Sequence, residues 1–178
     1  MQASLKDADP RLAIDRRAPA RHTLGLLLVI LLLALAGCAT GPKTPAELRQ
    51  HPDAQRAQAL AAQGDALAAA ALYRSLALDV AKTPDADLLL RAAELYLQGG
   101  APAEAGAVLA VLQPLPLTAT EALRRDLIAA ERRRLEGDPQ AALAQLQSEP
   151  DATLPGRLVT RFYQRKAELL QQLEQPLA

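Results

Sequence analysis

Hydrophobic and polar positions divide the chain into three parts. Mostly polar residues occupy positions 1–22, an uncharged apolar run covers 24–36, and the remainder is rich in Ala and Leu. Ala and Leu are strong helix formers, and few Val, Ile or Thr compete with them. We therefore predict an all-α fold with about seven helices for residues 46–178.

The apolar run predicts an export signal rather than a membrane span. It is shorter than the roughly 20 residues that a helix needs to cross the hydrocarbon. Basic residues precede it and small residues follow it, a pattern typical of a bacterial secretory signal. We predict a signal peptide at residues 1–37 and a tether at 38–45.

The run ends in Leu35-Ala36-Gly37-Cys38, which resembles the lipobox of bacterial lipoproteins. The resemblance implies cleavage between Gly37 and Cys38 and attachment of lipid to Cys38, the one cysteine of the chain. The next residue is Ala39 rather than Asp, which by the same resemblance directs the lipoprotein to the outer membrane. Several acyl chains together make such anchoring effectively permanent.

Three glycines mark a repeat in the remaining sequence. Gly64, Gly100 and Gly137 are 36 and 37 residues apart, and a fixed period of this length is typical of stacked helical units. Alignment on these glycines brings small residues into phase, namely Ala57, Ala93 and Ala130 before the turn and Ala69, Ala105 and Ala142 after it. It also aligns three large residues, Tyr73, Leu109 and Leu146.

Each unit is predicted to be a pair of helices joined at its glycine. The glycine ends the first helix, and Asp65 or Asp138 caps the second. Pro102 and Pro139 suit a first helical turn. The pattern is similar to the tetratricopeptide repeat, which implies a helical-hairpin solenoid of about three and a half repeats. A last helix from about 154 to 175 either caps the stack or lacks a continuation.

The amino-acid composition argues against several classes of function. Lys and Arg total 20, as do Asp and Glu, so no basic excess favours nucleic acid. One Cys and two His leave too few residues for a zinc site or for thiol or His-dependent catalysis. We predict no enzyme, no catalytic or metal site and no cofactor. Asp85 and Asp87 are interpreted as helix N-terminal residues.

The polar positions of the first helices are the candidate partner-binding residues, by analogy with the concave face of tetratricopeptide superhelices. They are Gln58, Glu94, Gln98, Arg124, Glu131, Arg134, Arg161 and Gln164. Five arginines cluster between 124 and 134 among interleaved carboxylates, which favours a solvated helix. The alternative for this cluster is binding of an acidic protein surface or an anionic glycan. We expect Tyr73 and Tyr96 in the core, and Phe162 and Tyr163 on different helix faces.

A wider resemblance is carried by the lipobox, by the segments 87–93, 112–118 and 136–143, and by residues 158–167. They resemble the tetratricopeptide-like N-terminal part of LppC-type lipoproteins, outer-membrane activators of penicillin-binding proteins. The resemblance implies a lipid-anchored periplasmic protein whose partner is a class A penicillin-binding protein or another envelope protein. The two-lobed domain by which such proteins contact the synthase is not present in this sequence. The alternative is a lipoprotein scaffold for another envelope complex.

Overall fold

The computed structural model describes residues 44–81 and 83–174, and the description of the fold is confined to them. The predicted signal peptide, Cys38 and nearly all of the predicted tether lie outside these residues. Eight α-helices follow one another, and these are α1 Pro45–Arg49, α2 Pro52–Ala62, α3 Ala66–Ser75, α4 Ala86–Gln98, α5 Pro102–Leu112, α6 Ala119–Leu135, α7 Pro139–Ala144 and α8 Gly156–Glu174. A π-helical turn, Leu76–Val80, extends α3.

The all-α prediction is confirmed, since no β-strand occurs among the described residues. The prediction of about seven helices omitted α1, a five-residue helix that begins inside the predicted tether. Thr44 caps it by accepting a hydrogen bond from the Glu47 N–H, while the Glu47 carboxylate accepts from the Thr44 N–H. Leu48 of this helix is buried in the core, which ties the start of the helical region to α2.

The three glycines lie at the predicted turns with left-handed backbone angles. Their φ values are +88° at Gly64, +74° at Gly100 and +82° at Gly137. After each glycine, the next N–H donates to the carbonyl five residues earlier, as in Asp65 to Leu60 and Asp138 to Arg133. This is the Schellman end of a helix, in which glycine takes the conformation that a Cβ disfavours. The same local chemistry therefore ends α2, α4 and α6.

The second helix of each pair begins as predicted at two of the turns. The Asp65 side chain accepts from the Ala68 N–H, and the Asp138 side chain accepts from the Ala141 N–H. At the middle turn, α5 starts at Pro102 behind Ala101, which supplies no side-chain cap. Proline at the first helical position needs no N–H partner there.

Small residues meet where paired helices touch. All six alanines of the two aligned positions are fully buried, and these are Ala57, Ala69, Ala93, Ala105, Ala130 and Ala142. Consecutive helices pack on each other from α1 to α8, and α4 also packs on α6 and α6 on α8. Alanine at these contacts lets two helix backbones approach closely.

One predicted core position differs from the structure. Tyr73 and Leu146 are buried as expected, but Leu109 is half-buried, and Val108 occupies the core of α5 instead. Ala105, Val108 and Leu112 form one helical stripe at spacings of three and four, and Leu109 lies at its edge. Tyr96 is buried as expected. Phe162 is buried and its neighbour Tyr163 is 48% exposed, in keeping with the expected different helix faces.

The last helix leaves its repeat-phase positions uncovered. Ala167 corresponds to Ala57, Ala93 and Ala130, which are fully buried, yet Ala167 is exposed, and Leu170 is 44% exposed. No second helix of a fourth pair follows α8 within the described residues. The helix packs through Phe162 and Leu169 instead, on the surface formed by α6 and α7.

Candidate functional site

Five of the eight predicted partner-binding residues lie together along the first helices of the pairs. Gln58, Glu94 and Gln98 line a groove of about 370 Å³ between α2 and α4. Glu94 and Gln98 also line a second hollow of about 130 Å³, together with Glu131 and Arg161. The two hollows are therefore adjacent, and we call the surface that contains these five residues the A-face. The structure adds Arg91 to the first hollow and Arg165 to the second, two residues that the sequence reasoning missed.

Arg124, also predicted as a binding residue, serves as an internal link. Its Nη1 lies 2.6 Å from the Asp87 Oδ1 and its Nη2 lies 3.3 Å from the Glu94 Oε2, joining α6 to α4. Its side chain is only 19% exposed. Burial alone lowers the pKa of Arg124, but the charge of Glu94 and the hydrogen bonds that Arg124 donates to Asp87 and Glu94 outweigh burial and raise the pKa. The guanidinium is therefore permanently charged and largely used within the chain.

Glu131 forms the second link, from α6 to α8. Arg134 binds it through two hydrogen bonds of 2.9 and 2.7 Å, and the Arg165 Nη1 lies 3.1 Å from its Oε2. The hydrogen bonds from Arg134 lower the pKa of Glu131, and the charge of Arg165 lowers it further, although burial opposes both. Glu131 is therefore ionised in the folded protein at neutral pH.

The exposed side chains of the A-face, which remain available to a partner, are amides and guanidinium groups. Gln58 and Gln98 are exposed, and Arg161 is 54% exposed with its Nη1 at 3.9 Å from the Glu94 Oε1. Gln164 is exposed on α8 but lines neither hollow, and neither does Arg134. The A-face thus combines ion pairs with exposed amides and the exposed guanidinium groups of Arg91 and Arg161, a composition that suits hydrogen bonding to a peptide backbone.

The charged residues of these two links recur with the period of the repeat. This recurrence is a sequence signal that the predictions did not use. Glu94, Glu131 and Glu168 are spaced by 37 residues, as are Asp87, Arg124 and Arg161. Asp87 and Glu94 of one unit thus face Arg124 of the next, whereas Glu131 is paired with Arg165 rather than with the repeat-equivalent Arg161. Asp87 was interpreted only as a helix N-terminal residue, whereas it also binds Arg124, while Asp85 does cap α4 by accepting from the Leu88 N–H.

The arginine cluster of α6 is divided between two surfaces. Arg124 and Arg134 point toward the carboxylates of the A-face side. Arg125, Arg132 and Arg133 instead line a separate groove of about 530 Å³ formed with α5 and α7. A helix of seventeen residues exposes more than one face, so neighbours in sequence need not share a surface.

A metal-binding cluster and a membrane-spanning helix are both absent from the described part of the chain. No group of three or more His, Cys, Asp or Glu residues there could hold a metal ion. None of the helices in residues 44–81 and 83–174 combines the length and apolarity that a membrane crossing requires.

Comparison with protein-family models, with curated proteins and with solved structures found no match to this chain.

Proposed function

We propose that this protein is an outer-membrane lipoprotein whose tetratricopeptide-like repeats present the A-face to another protein of the bacterial envelope. The partner we propose is a class A penicillin-binding protein, with which the repeat domain takes part in activating peptidoglycan synthesis. Envelope location rests on the lipobox at residues 35–38, and the partner rests on the resemblance to LppC-type lipoproteins.

The observation that carries an interaction role is the A-face, whose two adjacent hollows share Glu94 and Gln98. The left-handed glycines recur at 36 and 37 residues, and fully buried alanines flank each of them. This recurrence supports a solenoid of stacked hairpins, because a single hairpin cannot bury its own apolar face. In such a solenoid the first helices would lie side by side, and the ion pairs that join α4 to α6 and α6 to α8 support this arrangement.

The anchor is tested by metabolic labelling with palmitate. We expect label on the wild-type protein, loss of residues 1–37 by mass, and recovery in the outer-membrane fraction. Cys38→Ala is expected to carry no label and to retain its signal peptide. Equal labelling of both proteins, or a wild-type chain that keeps residues 1–37, would contradict the lipoprotein assignment.

The partner is tested by capture of a purified class A penicillin-binding protein on the immobilised lipoprotein. Gln58→Ala with Gln98→Ala is expected to weaken capture about tenfold, since both amides lie exposed on the A-face. The matched control is Gln140→Ala with Gln147→Ala, which removes two exposed amides from the region of α7. These substitutions are preferable to Arg124→Ala, because loss of Arg124 also removes the ion-pair partner of Asp87 and the nearer of the two partners of Glu94.

Polymerisation of lipid-linked precursor by the synthase gives the second readout. A rise in polymerisation on addition of the wild-type protein, and a smaller rise with the Gln58 and Gln98 variant, would support the proposal. Absence of both capture and stimulation would argue against the synthase as the partner and would favour the scaffold role in another envelope complex.

A further inference from the structure

The groove between α5, α6 and α7 has a character different from that of the A-face. Its volume of about 530 Å³ lies within the usual range of ligand sites in proteins. Leu109, Ala110 and Ala129 supply apolar lining, and the guanidinium groups of Arg125, Arg132 and Arg133 also line it. Nothing in the function proposed above uses this surface.

Arg132 is held in place by a helix-interior glycine. A Cβ at position 106 would lie 3.1 Å from the Arg132 Nη1 and 3.5 Å from its Cδ, so Gly106 leaves the space that the side chain occupies. Glycine inside a helix lowers helix stability relative to alanine. The arginine is thus packed flat against α5, and its Nη1 donates to the Glu136 Oε1 at 3.0 Å.

The charge in the groove is only partly compensated. The Arg132 Nε is buried and has no hydrogen-bond partner among the described residues. Asp126 accepts from the Arg125 Nε and Nη2 at 3.0 and 2.7 Å, while Glu136 accepts from both Arg132 and Arg133. Two carboxylates therefore serve three guanidinium groups, and each guanidinium has five N–H donors. A partly desolvated cation with unused donors favours an additional anion.

We propose that this groove binds an acidic peptide segment of a partner protein. Carboxylates of the segment would take the free donors of Arg125, Arg132 and Arg133, because the planar guanidinium matches a planar carboxylate. Aliphatic parts of the same segment would cover Leu109 and Ala129. This apolar lining distinguishes a peptide from a free inorganic anion, which would not use it.

The test is fluorescence anisotropy with a labelled hexapeptide of alternating Glu and Leu, titrated with the purified full-length protein. The reference peptide carries Gln in place of Glu. We expect the Glu peptide to bind at least about tenfold more tightly than the Gln peptide, since hydrogen bonds between charged groups are the stronger ones.

Substitutions inside and outside the groove test whether the Glu peptide binds there. Arg125→Gln with Arg133→Gln is expected to weaken the Glu peptide about tenfold or more, since both side chains are partly exposed in the groove. Arg56→Gln with Arg157→Gln removes the same charge from exposed positions outside the groove and is expected to leave affinity unchanged. Gly106→Leu, checked for unaltered helix content by circular dichroism, is expected to displace Arg132 and to weaken binding as well.

Four outcomes would overturn the proposal. They are no binding of the Glu peptide, equal binding of both peptides, equal loss in the groove and control variants, and displacement of the peptide by inorganic phosphate as effective as displacement by unlabelled Glu peptide. Binding of phosphatidylglycerol vesicles through Arg125 and Arg133, without peptide binding, would assign the groove to a membrane surface instead. The Gln58 and Gln98 variant should bind the hexapeptide normally, which separates this test from that of the A-face.

Discussion

The helices before Thr118 and those after it are stabilised in different ways. The first part, α1 to α5, buries a cluster of 19 residues that includes Ile128 of α6, and most of them are Ala or Leu. The second part, α6 to α8, buries a cluster of only seven residues. Its helices carry many more charged contacts, among them Arg134 and Arg165 on Glu131 and Lys166 on Glu149.

This difference shows that units with the same turn chemistry need not have the same source of stability. Apolar burial acts at all pH values and is little affected by salt, whereas partly exposed ion pairs weaken in acid and in salt. We therefore expect the second part to unfold first, and to be the part that responds to solution conditions.

The largest effect is expected from truncation in the smaller cluster. Phe162→Ala should destabilise the protein by about 3–5 kcal/mol, since the ring is 1% exposed and few other residues share its core. Hydrogen exchange should show lost protection in α7 and α8 while α3 and α4 stay protected. Leu170→Ala, which truncates a side chain 44% exposed, is the control. Equal loss of protection in both parts would mean that the chain unfolds as one cooperative unit.

A smaller effect is expected from crowding a helix contact. Ala130→Leu should cost about 1–3 kcal/mol, because Ala130 is fully buried in the α6 and α7 contact. Ala167→Leu makes the same change at the same repeat position on α8, where the side chain is exposed, and should alter stability by less than about 0.5 kcal/mol. Thermal unfolding of both variants checks the comparison, which fails if the two shifts are equal.

The glycine turns should respond alike in both parts. Gly100→Ala and Gly137→Ala should each cost about 1–2 kcal/mol, since both glycines have positive φ and no atom crowds either one. Gly156→Ala, at a position with open space and no positive φ, should not destabilise. Urea unfolding measures all three. Markedly different costs at 100 and 137 would show that the turns are not equivalent.

The smallest effect concerns pH. Because folding lowers the pKa of Glu131, its contribution is fully present above the ordinary glutamate pKa of about 4.3 and is lost as the pH falls through the lower folded value. Glu131→Gln should cost no more than about 1 kcal/mol at neutral pH and should reduce the loss of stability in acid. Urea midpoints at neutral and acid pH measure this effect. Glu104→Gln, an exposed carboxylate of α5, should leave the acid response unchanged.

Local features were predictable from the sequence because they depend on neighbouring residues. The glycines at 64, 100 and 137 and the caps Asp65 and Asp138 act through backbone conformation and hydrogen bonds within one helical turn. The capping boxes at Thr44 and Thr118 obey the same local rule and could have been found, since each threonine precedes a glutamate by three residues. Helix α1 was missed because the capping box at Thr44 was not recognised.

Pairings between units were not predictable in the same way. Of the eight candidate residues, five line the A-face and two, Arg124 and Arg134, bind carboxylates of the chain. Gln164 is exposed and lines neither hollow. Their spacing gave a hint, but distance along the sequence does not give the rotation of one helix against another. Leu109 and Val108 illustrate this, because a small rotation of α5 decides which of them enters the core.

The sequence by itself determined the helical class, the positions of the turns and the small residues that let paired helices approach. Those properties depend on backbone conformation and helix propensity over a few residues. Only the tertiary structure decided which arginines of α6 are paired with carboxylates and which line a groove with unused hydrogen-bond donors. It also decided that Ala167 is exposed while its repeat equivalents are buried. Burial and charge pairing depend on what lies opposite in space, and for these residues the opposite groups come from helices remote in the chain.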